Sequence, residues 1–352
     1  MASQALSRDE GQRLLLMGCG GIGGVIAGGL LRAGYDVTIV THNERISHAI
    51  NTYGLRITAP EGQQTLTTTA HTHLDELGGS FDTAFLAMKG TDVEQAAREV
   101  EGYLSPEGCV VTLQNGVVED RVAEILGRDR VIGALVGWGA TMHAPGVYEM
   151  TSHGEMAVGE LDSQVTPRVR QLKTTLDTVA PTTASANIYG LLWSKLAINS
   201  AITPTGAVSG QLLGEMLRQG ALRQLALSII SEVADVAEAH DISMEPVGGT
   251  LDIKRLYLPP ERRAGGFALD LIPKHAIMLV VGLKYRRLKS SMLQSIERGR
   301  RAEIDFLNGY VVERGREKGV PTPVNAALVD MVREIEAGQR TIEPDNLKGL
   351  LN

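Results

Sequence analysis

Lys195 and Asn199 stand four residues apart in the stretch WSKLAINSAITPTG (193–206), among Leu196, Ala197, Ile198, Ala201 and Ile202. On a helix that spacing puts both on one face. A lysine on an apolar helix is costly unless something pairs with it, and burial makes it release its proton more easily. Such a lysine can protonate a developing alkoxide, and an amide one turn on can bond the same substrate. The bland alternative is a lysine that carries its head to water along an apolar stem, with Trp193 beside it in the core. A second intrusion falls in SSMLQSIERGRRAEIDFLNGYVVERG (290–315), where Glu303 stands beside a face made by Ile304, Leu307, Tyr310 and Val311. It can anchor a ligand hydroxyl, pair with Lys195, or be a solvated helix charge. Ser291 and Glu303 are 12 residues apart, roughly 18 Å along one continuous helix. They share a small ligand only if the chain folds back between them.

A third constellation is Gly18-Cys19-Gly20-Gly21-Ile22-Gly23. It follows an apolar run and opens a helical pattern, with a second strand pattern at 36–43. In that setting Gly18 allows a tight turn, Gly20 lets backbone approach a pyrophosphate, and Gly23 lets helix pack on strand. The helix terminus offers N–H donors and positive dipole to phosphate. The alternative is a glycine-rich helix start that packs closely and binds nothing. After the second strand stand Thr41-His42-Asn43-Glu44-Arg45, with no acid at the tip. An acid there would hold a ribose hydroxyl. Its replacement by groups able to meet a 2′-phosphate favours NADP(H), while Glu44 keeps NAD(H) open. Lys89 and Asn115 follow apolar runs, at strand ends where ligands sit in open parallel sheets. Lys89 is otherwise a solvated loop lysine, and Asn115-Gly116 a simple turn.

The elements that must position these residues fall into two halves. Strand patterns at 13–17, 36–43, 81–90, 108–116 and 130–142 alternate with helical stretches, which predicts a doubly wound, mostly parallel sheet of Rossmann type. Residues 146–161 predict an antiparallel finish. Beyond about residue 186, helical periodicity dominates at 188–202, 211–241 and 291–317, and strand patterns fade. We therefore expect an α/β domain over 1–185 and an all-α domain over 186–352. PVGGT, LPPERRAGG and LIPK within 245–274 predict loops. The chain has 352 residues, which fits two domains. With 34 Lys and Arg against 41 Asp and Glu, the formal charge is −7, and no basic tract suggests nucleic-acid binding. Two cysteines, Cys19 and Cys109, support neither a disulfide framework nor a clustered metal site. The polar start MASQALSRDEGQ has no signal-peptide core, and AIMLVVGL (276–283) is too short to span a bilayer. A cytoplasmic setting away from membranes is expected.

Taken together, GCGGIG, AMKG, LQNG, WSKLAINSAITPTGA and SSMLQSIERGRRAEIDFLNGYVVERGREKGVPTPVN resemble the ketopantoate reductases (2-dehydropantoate 2-reductases) from Leu14 to about Val332. The resemblance implies a Rossmann domain followed by an all-helical domain of the 6-phosphogluconate dehydrogenase type. It also implies NADPH-dependent reduction of a small 2-keto acid, and makes dimerisation through the helical domain plausible. Carried over by position, Lys195 is the catalytic lysine, facing an interdomain cleft. Asn199, Ser291 and Glu303 contact substrate, and Gly18 through Gly23, Lys89 and Asn115 serve the cofactor. Three departures stand out. Thr203 occupies the place of a second asparagine and predicts a wider, less polar pocket, with the helix ending or kinking at Pro204. His42 stands where the family's NADP-selecting arginine is usual. Segment 245–289 is longer than is typical. Rival readings are an opine- or imine-forming dehydrogenase on the same scaffold, or a dinucleotide-binding sensor without turnover.

Overall fold

The structure, a computed structural model, describes residues 12–59, 62–247, 252–263 and 269–351. The polar start up to residue 11 and parts of the PVGGT and LPPERRAGG loops lie outside the described residues. The chain divides into two compact units. The first comprises residues up to Gln114 with Val118–Ile188; the second is Tyr189–Asn352 together with Asn115–Val117.

The first unit runs β1 (Leu14–Met17), α1 (Gly21–Arg32), β2 (Val37–Val40), α2 (Glu44–Tyr53), β3 (Leu55–Ala59), β4 (Gly62–Leu66), β5 (Ala70–His71), β6 (Phe81–Leu86), α3 (Gly90–Val100), β7 (Leu104–Thr112), α4 (Glu119–Leu126), β8 (Val131–Val136), β9 (Gly139–Ala144), β10 (Val147–Ser152), β11 (Met156–Glu160), α5 (Pro167–Leu176) and β12 (Thr182–Ala184). Eight strands form one sheet in the order β12-β11-β8-β7-β6-β1-β2-β5. Every pairing in it is parallel except β8 with β11. Near-continuous apolar runs are what a sheet covered on both faces requires. Leu14, Leu15, Leu16, Ala84, Phe85, Leu86, Val110 and Val111 are accordingly fully buried.

A second sheet, β4-β3-β10-β9, was not foreseen. The stretch expected as one β-rich piece at 130–142 breaks at Gly137 into β8 and β9, which belong to different sheets. The stretch 146–161 divides the same way into β10 and β11. The β3–β4 hairpin escaped notice because most of β4 is exposed and lacks alternating apolar residues. This small sheet lies on α1. A Cβ at Gly24 would stand 2.3 Å from the Tyr148 ring, and one at Gly28 2.4 Å from Ile57. Glycines in a helix cost about 1 kcal/mol each relative to alanine; here they let strands lie almost on the helix backbone.

The second unit runs α6 (Ile188–Ser209), α7 (Leu213–Arg218), α8 (Gly220–Ala239), α9 (Ile272–Lys284), α10 (Ser291–Glu297), α11 (Asn308–Lys318) and α12 (Pro323–Glu336). Two expectations are corrected. First, of the end or kink expected at Pro204, the end does not occur: α6 continues to Ser209. Proline removes the N–H that would bond the Ser200 carbonyl. Asn308 Nδ2 takes its place, donating to Ser200 O at 3.0 Å. The hydroxyls of Thr203 and Thr205 donate to the carbonyls of Asn199 and Ala201, satisfying themselves within the helix. Second, 291–317 is not one helix. Gly299, at φ +64°, closes α10. Arg300 N donates to Ser295 O and Gly299 N to Ile296 O, the paired bonds of a Schellman ending.

Asn308 belongs to a longer buried chain of bonds. Its amide also donates to Asn325 Oδ1 at 2.8 Å. Asn325 Nδ2 donates to Glu232 Oε2 at 2.7 Å. Glu232 also accepts from Val324 N and Asn325 N, the unpaired donors of the first turn of α12. Burial pushes the Glu232 carboxyl above its ordinary range, against the pull of these donors. With Asn308 and Asn325 fully buried and Glu232 1% exposed, no water replaces a lost partner. Asn308→Ala should therefore cost about 2–4 kcal/mol in urea unfolding, by stranding buried acceptors. Adding Pro204→Ala to that variant restores an N–H for Ser200 and should recover part of the loss. A loss below about 0.5 kcal/mol would show that the chain of bonds does not hold α6.

In the first unit, Glu119 is buried and its Oε1 accepts from Thr112 Oγ1 at 2.8 Å. Desolvation raises its pKa from 4.5 to about 7, outweighing that hydrogen bond. The folded state thus holds a proton the unfolded chain releases, so stability falls as pH rises from 4.5 to about 7 and levels off above. Glu119→Gln should remove this slope. Its stability relative to wild type should rise by about 2–3 kcal/mol between about pH 5 and about pH 8. Parallel pH profiles in urea unfolding would exclude a proton on Glu119.

Candidate active site

The glycine turn follows β1 directly. Gly18 has φ +90°, and a Cβ there would stand 2.7 Å from Met88 N. A Cβ at Gly23 would lie 2.0 Å from Gly18 O, so α1 starts hard against the turn. Gly20, the cap of α1, is different: an added Cβ meets no heavy atom within 4 Å. No side chain caps this terminus. The N–H groups of Gly21, Ile22 and Gly23 therefore lack intrahelical partners. Open backbone donors beside an unobstructed glycine can receive an anionic group. Cys19 contributes backbone only. Its thiol is buried and pushed up to about 12, chiefly by desolvation, and Tyr148 Oη donates to Cys19 O at 2.9 Å.

His42 lies just past β2 and is exposed, 3.7 Å from Glu99 Oε2 and stacked on His73 at 5.7 Å between ring centres. Asn43 caps α2, its side chain accepting from Arg45 N and Ile46 N. Lys89 is the cap residue of α3, one loop beyond β6. Gln114, which the sequence reading passed over inside LQNG, braces that loop. It donates to Leu86 O at 2.8 Å and Met88 O at 3.1 Å, and accepts from Leu113 N. Its only signal was a buried amide at the end of an apolar strand.

The remaining residues lie in the second unit. Along α6, Leu191, Lys195, Ile198, Asn199 and Ile202 are half-buried, while Trp193, Leu196, Ala197 and Ser200 are fully buried. Beyond its first turn the helix is therefore enclosed except for one stripe, and that stripe carries Lys195 and Asn199. Trp193 is core, 5.7 Å from the Tyr310 ring. Thr203 is 9% exposed, with its hydroxyl proton given to Asn199 O. It is thus less available than an extra asparagine on the stripe would be.

Backbone ties converge on the same helix. Ser290 Oγ donates to Thr203 O at 2.6 Å and accepts from Leu293 N at 3.1 Å. This hydroxyl, unnoticed in the sequence, fixes the start of α10 to α6 and leaves Ser291 exposed beside the joint. The Schellman ending then turns the chain back. Glu303, half-buried, caps the 3-10 turn Ile304–Phe306, which leads into Asn308 and its bond to Ser200. Asn115 arrives by a third route. Gly116 has φ +94°, and a Cβ there would lie 2.2 Å from Phe306 O, so Asn115–Val117 rests against the turn that Glu303 caps. The tension between Ser291 and Glu303 on one rod is thus removed: both belong to segments bound back to α6 or its neighbour. An amine and an amide on the α6 stripe, and a hydroxyl and a carboxylate on segments tied to the same helix, are the kinds of group that orient a polar substrate and pass it a proton.

Among the described residues no group of three or more His, Cys, Asp or Glu could hold a metal ion. Among the same residues no helix is long and apolar enough to cross a membrane.

Residues 14–163 match the family model "Ketopantoate reductase PanE/ApbA", and 187–336 match its C-terminal counterpart. The chain is 27% identical over 328 residues to a 2-dehydropantoate 2-reductase of Archaeoglobus fulgidus, covering 93% of this chain and 99% of that one. It is 27% identical over 350 residues to a Mesorhizobium japonicum protein of the same name, covering 92% and 97%. A crystal structure of a PanE/ApbA family ketopantoate reductase from Ralstonia eutropha superposes with a TM-score of 0.78 at 26% identity, covering 93% and 99%. D-mandelate dehydrogenase with NADH and anilino(oxo)acetate, at 19% identity, shares the fold with a TM-score of 0.78 over 93% and 99%. An α/β unit with an open glycine turn, a helical unit with a lysine-bearing stripe, and family matches across both place this chain in the ketopantoate reductase family of oxidoreductases.

Proposed function

We propose that this protein reduces 2-dehydropantoate, or a close 2-keto acid, to the 2-hydroxy acid with NADPH, the step that makes pantoate for pantothenate synthesis. The observation that carries this reading is the single accessible stripe of α6, which presents an amine and an amide on an otherwise enclosed helix. Names and family matches of relatives similar along nearly their whole length support the substrate class.

The dinucleotide's pyrophosphate would be held by the N–H groups of Gly20 through Gly23, and its 2′-phosphate by His42 and Arg45. Lys89 adds positive charge near the strand ends, and Asn115 bonds the nicotinamide or ribose edge. Bound there, NAD(P)H supplies the hydride to the keto carbon. Lys195 donates a proton to the oxygen on which negative charge develops. Asn199 holds the same oxygen or the adjacent carboxylate, Ser291 meets the carboxylate, and Glu303 accepts from the substrate hydroxyl. Thr203 shapes the pocket by its bulk, since its proton is already committed.

Lys195→Ala removes the acid and leaves the glycine turn untouched. Turnover should fall about 10²–10⁴-fold, while NADPH affinity by fluorescence titration changes little. Near-wild-type turnover would dismiss Lys195 as the donor. The cofactor assignment has its own test. NADPH should show the higher kcat/KM in wild type, and His42→Asp should reverse the order, because a carboxylate repels the 2′-phosphate and accepts from a 2′-hydroxyl. A wild type already favouring NADH would refute the role given to His42 and Arg45. NADPH oxidation against a panel of keto acids, with and without amines, separates this reading from an imine-forming dehydrogenase. No oxidation with any of them would indicate a sensor.

A further inference from the structure

The helical unit contains a cavity of about 750 Å³ that lies wholly within it. Its walls come from the start of α8, from α9, from the entry to α12 and from Leu350 near the end of the chain. Leu225, Pro260, Pro321, Pro323 and Leu350 make much of the wall apolar. None of Lys195, Asn199, Ser291 and Glu303 lines it. A concave, largely apolar space of this size with a few convergent polar groups is the usual form of a small-molecule pocket.

The polar groups converge at the start of α8. Arg223, half-buried, donates through Nη1 to Leu217 O at 2.8 Å and Arg218 O at 2.9 Å, and through Nε to His275 Nδ1 at 3.4 Å. Among the described residues no carboxylate pairs with this guanidinium, and its Nη2 has no partner. A Cβ at Gly220 would lie 3.6 Å from that Nη2, so the free end of the guanidinium stands at the first residue of α8. No side chain caps α8 there, and the N–H groups of Gly220 and Ala221, both on the cavity wall, lack intrahelical partners. A cation at the positive end of a helix is electrostatically misplaced unless an anion joins it. Burial and the same guanidinium hold His275 below its ordinary pKa. Its Nδ1 accepts from Arg223, so the ring proton sits on Nε2, which remains a donor. Only one full charge is unpaired. Arg263, the other guanidinium on the wall, is held by Asp235 at 2.5 Å. The wall's one carboxyl, Glu232, is 1% exposed and filled by N–H donors of α12. One free positive charge, several N–H donors and an apolar wall match a monoanion with an apolar body, whereas a dianionic phosphate would leave half its charge unbalanced. We infer that this cavity is a second ligand site, which takes a small carboxylate with an aliphatic or aryl body and seats the carboxylate on Arg223 Nη2 and the first N–H groups of α8.

The inference does not rest on the substrate and cofactor reading, and its test needs no turnover. Isothermal titration of the full chain, without NADPH or keto acid, uses phenylbutyrate, the neutral phenylbutanol and phenylbutyl phosphate as probes. Phenylbutyrate should bind saturably at one site, more tightly than either of the others. Arg223→Gln should weaken it at least about tenfold. Lys195→Ala, which alters the accessible stripe of α6, should leave it unchanged. Because Arg223 also holds the end of α7, Ala221→Glu serves as a second variant that keeps those bonds. It puts a carboxylate in the first turn of α8, where a helix accommodates one, and should weaken phenylbutyrate at least about tenfold by repulsion. Both variants should keep the wild-type helix content by circular dichroism. No saturable binding of phenylbutyrate would overturn the inference, as would equal affinity for phenylbutanol or tighter binding of the phosphate. So would binding that survives Arg223→Gln and Ala221→Glu but is lost in Lys195→Ala, since the probe would then occupy the keto-acid site.

Discussion

The helical unit depends on one buried carboxylate. Glu232 projects from α8 onto the first turn of α12 and accepts three N–H bonds there. Burying such a group is costly and tolerable only when its acceptors are filled. Because they are, the amide of Asn325 is fixed, and through it the amide of Asn308. Asn308 then reaches the carbonyl that Pro204 leaves open on α6. Four helices are thus tied by directional bonds in addition to apolar packing. Packing by itself tolerates small slides, whereas a chain of buried hydrogen bonds sets the height and rotation of α6. The rotation matters, because only one stripe of that helix is accessible, and a rotation would replace Lys195 with an alkyl chain.

The α/β unit is built on a different constraint, the absence of side chains. Gly18 and Gly23 let the turn and helix start close up, while Gly20 leaves a surface open. Further along α1, Gly24 and Gly28 accept Tyr148 and Ile57 of the small sheet. One glycine-rich helix therefore does two jobs at different places. Its first turn presents backbone donors, and its next two turns act as a floor for strands. Tyr148 joins the two, since its hydroxyl donates to Cys19 O inside the turn. The glycine loop is braced from behind by a residue more than a hundred positions away.

Much was legible in the chain itself. The parallel strands could be read because buried strands need unbroken apolar runs, as in RLLLM and AFLAM. The helical half could be read because its apolar residues recur at helical spacing. Lys195, Asn199 and Glu303 stood out because they break that spacing, and the motif resemblance singled out the same residues. Gly18 through Gly23 stood out through their position between a strand and a helix. These are local properties, and periodicity reports them faithfully.

What escaped was whatever depends on partners distant in sequence. No periodicity marks the second sheet, because most of β4 is exposed and β9 and β10 look like continuations of their neighbours. Proline forecasts a helix end unless another chain segment serves the freed carbonyl, and Asn308 lies more than a hundred residues away. The break after α10 is set by Gly299 adopting a left-handed conformation, which a helical pattern on either side conceals. Gln114, Ser290 and Glu119 are ordinary polar residues until burial decides whose hydrogen bonds they complete. The sequence by itself determined which residues prefer helix or strand and which side chains are candidates for the chemistry. Only the tertiary structure decided which segments are tied to one another, because hydrogen bonds between distant segments are satisfied in three dimensions and leave no period behind.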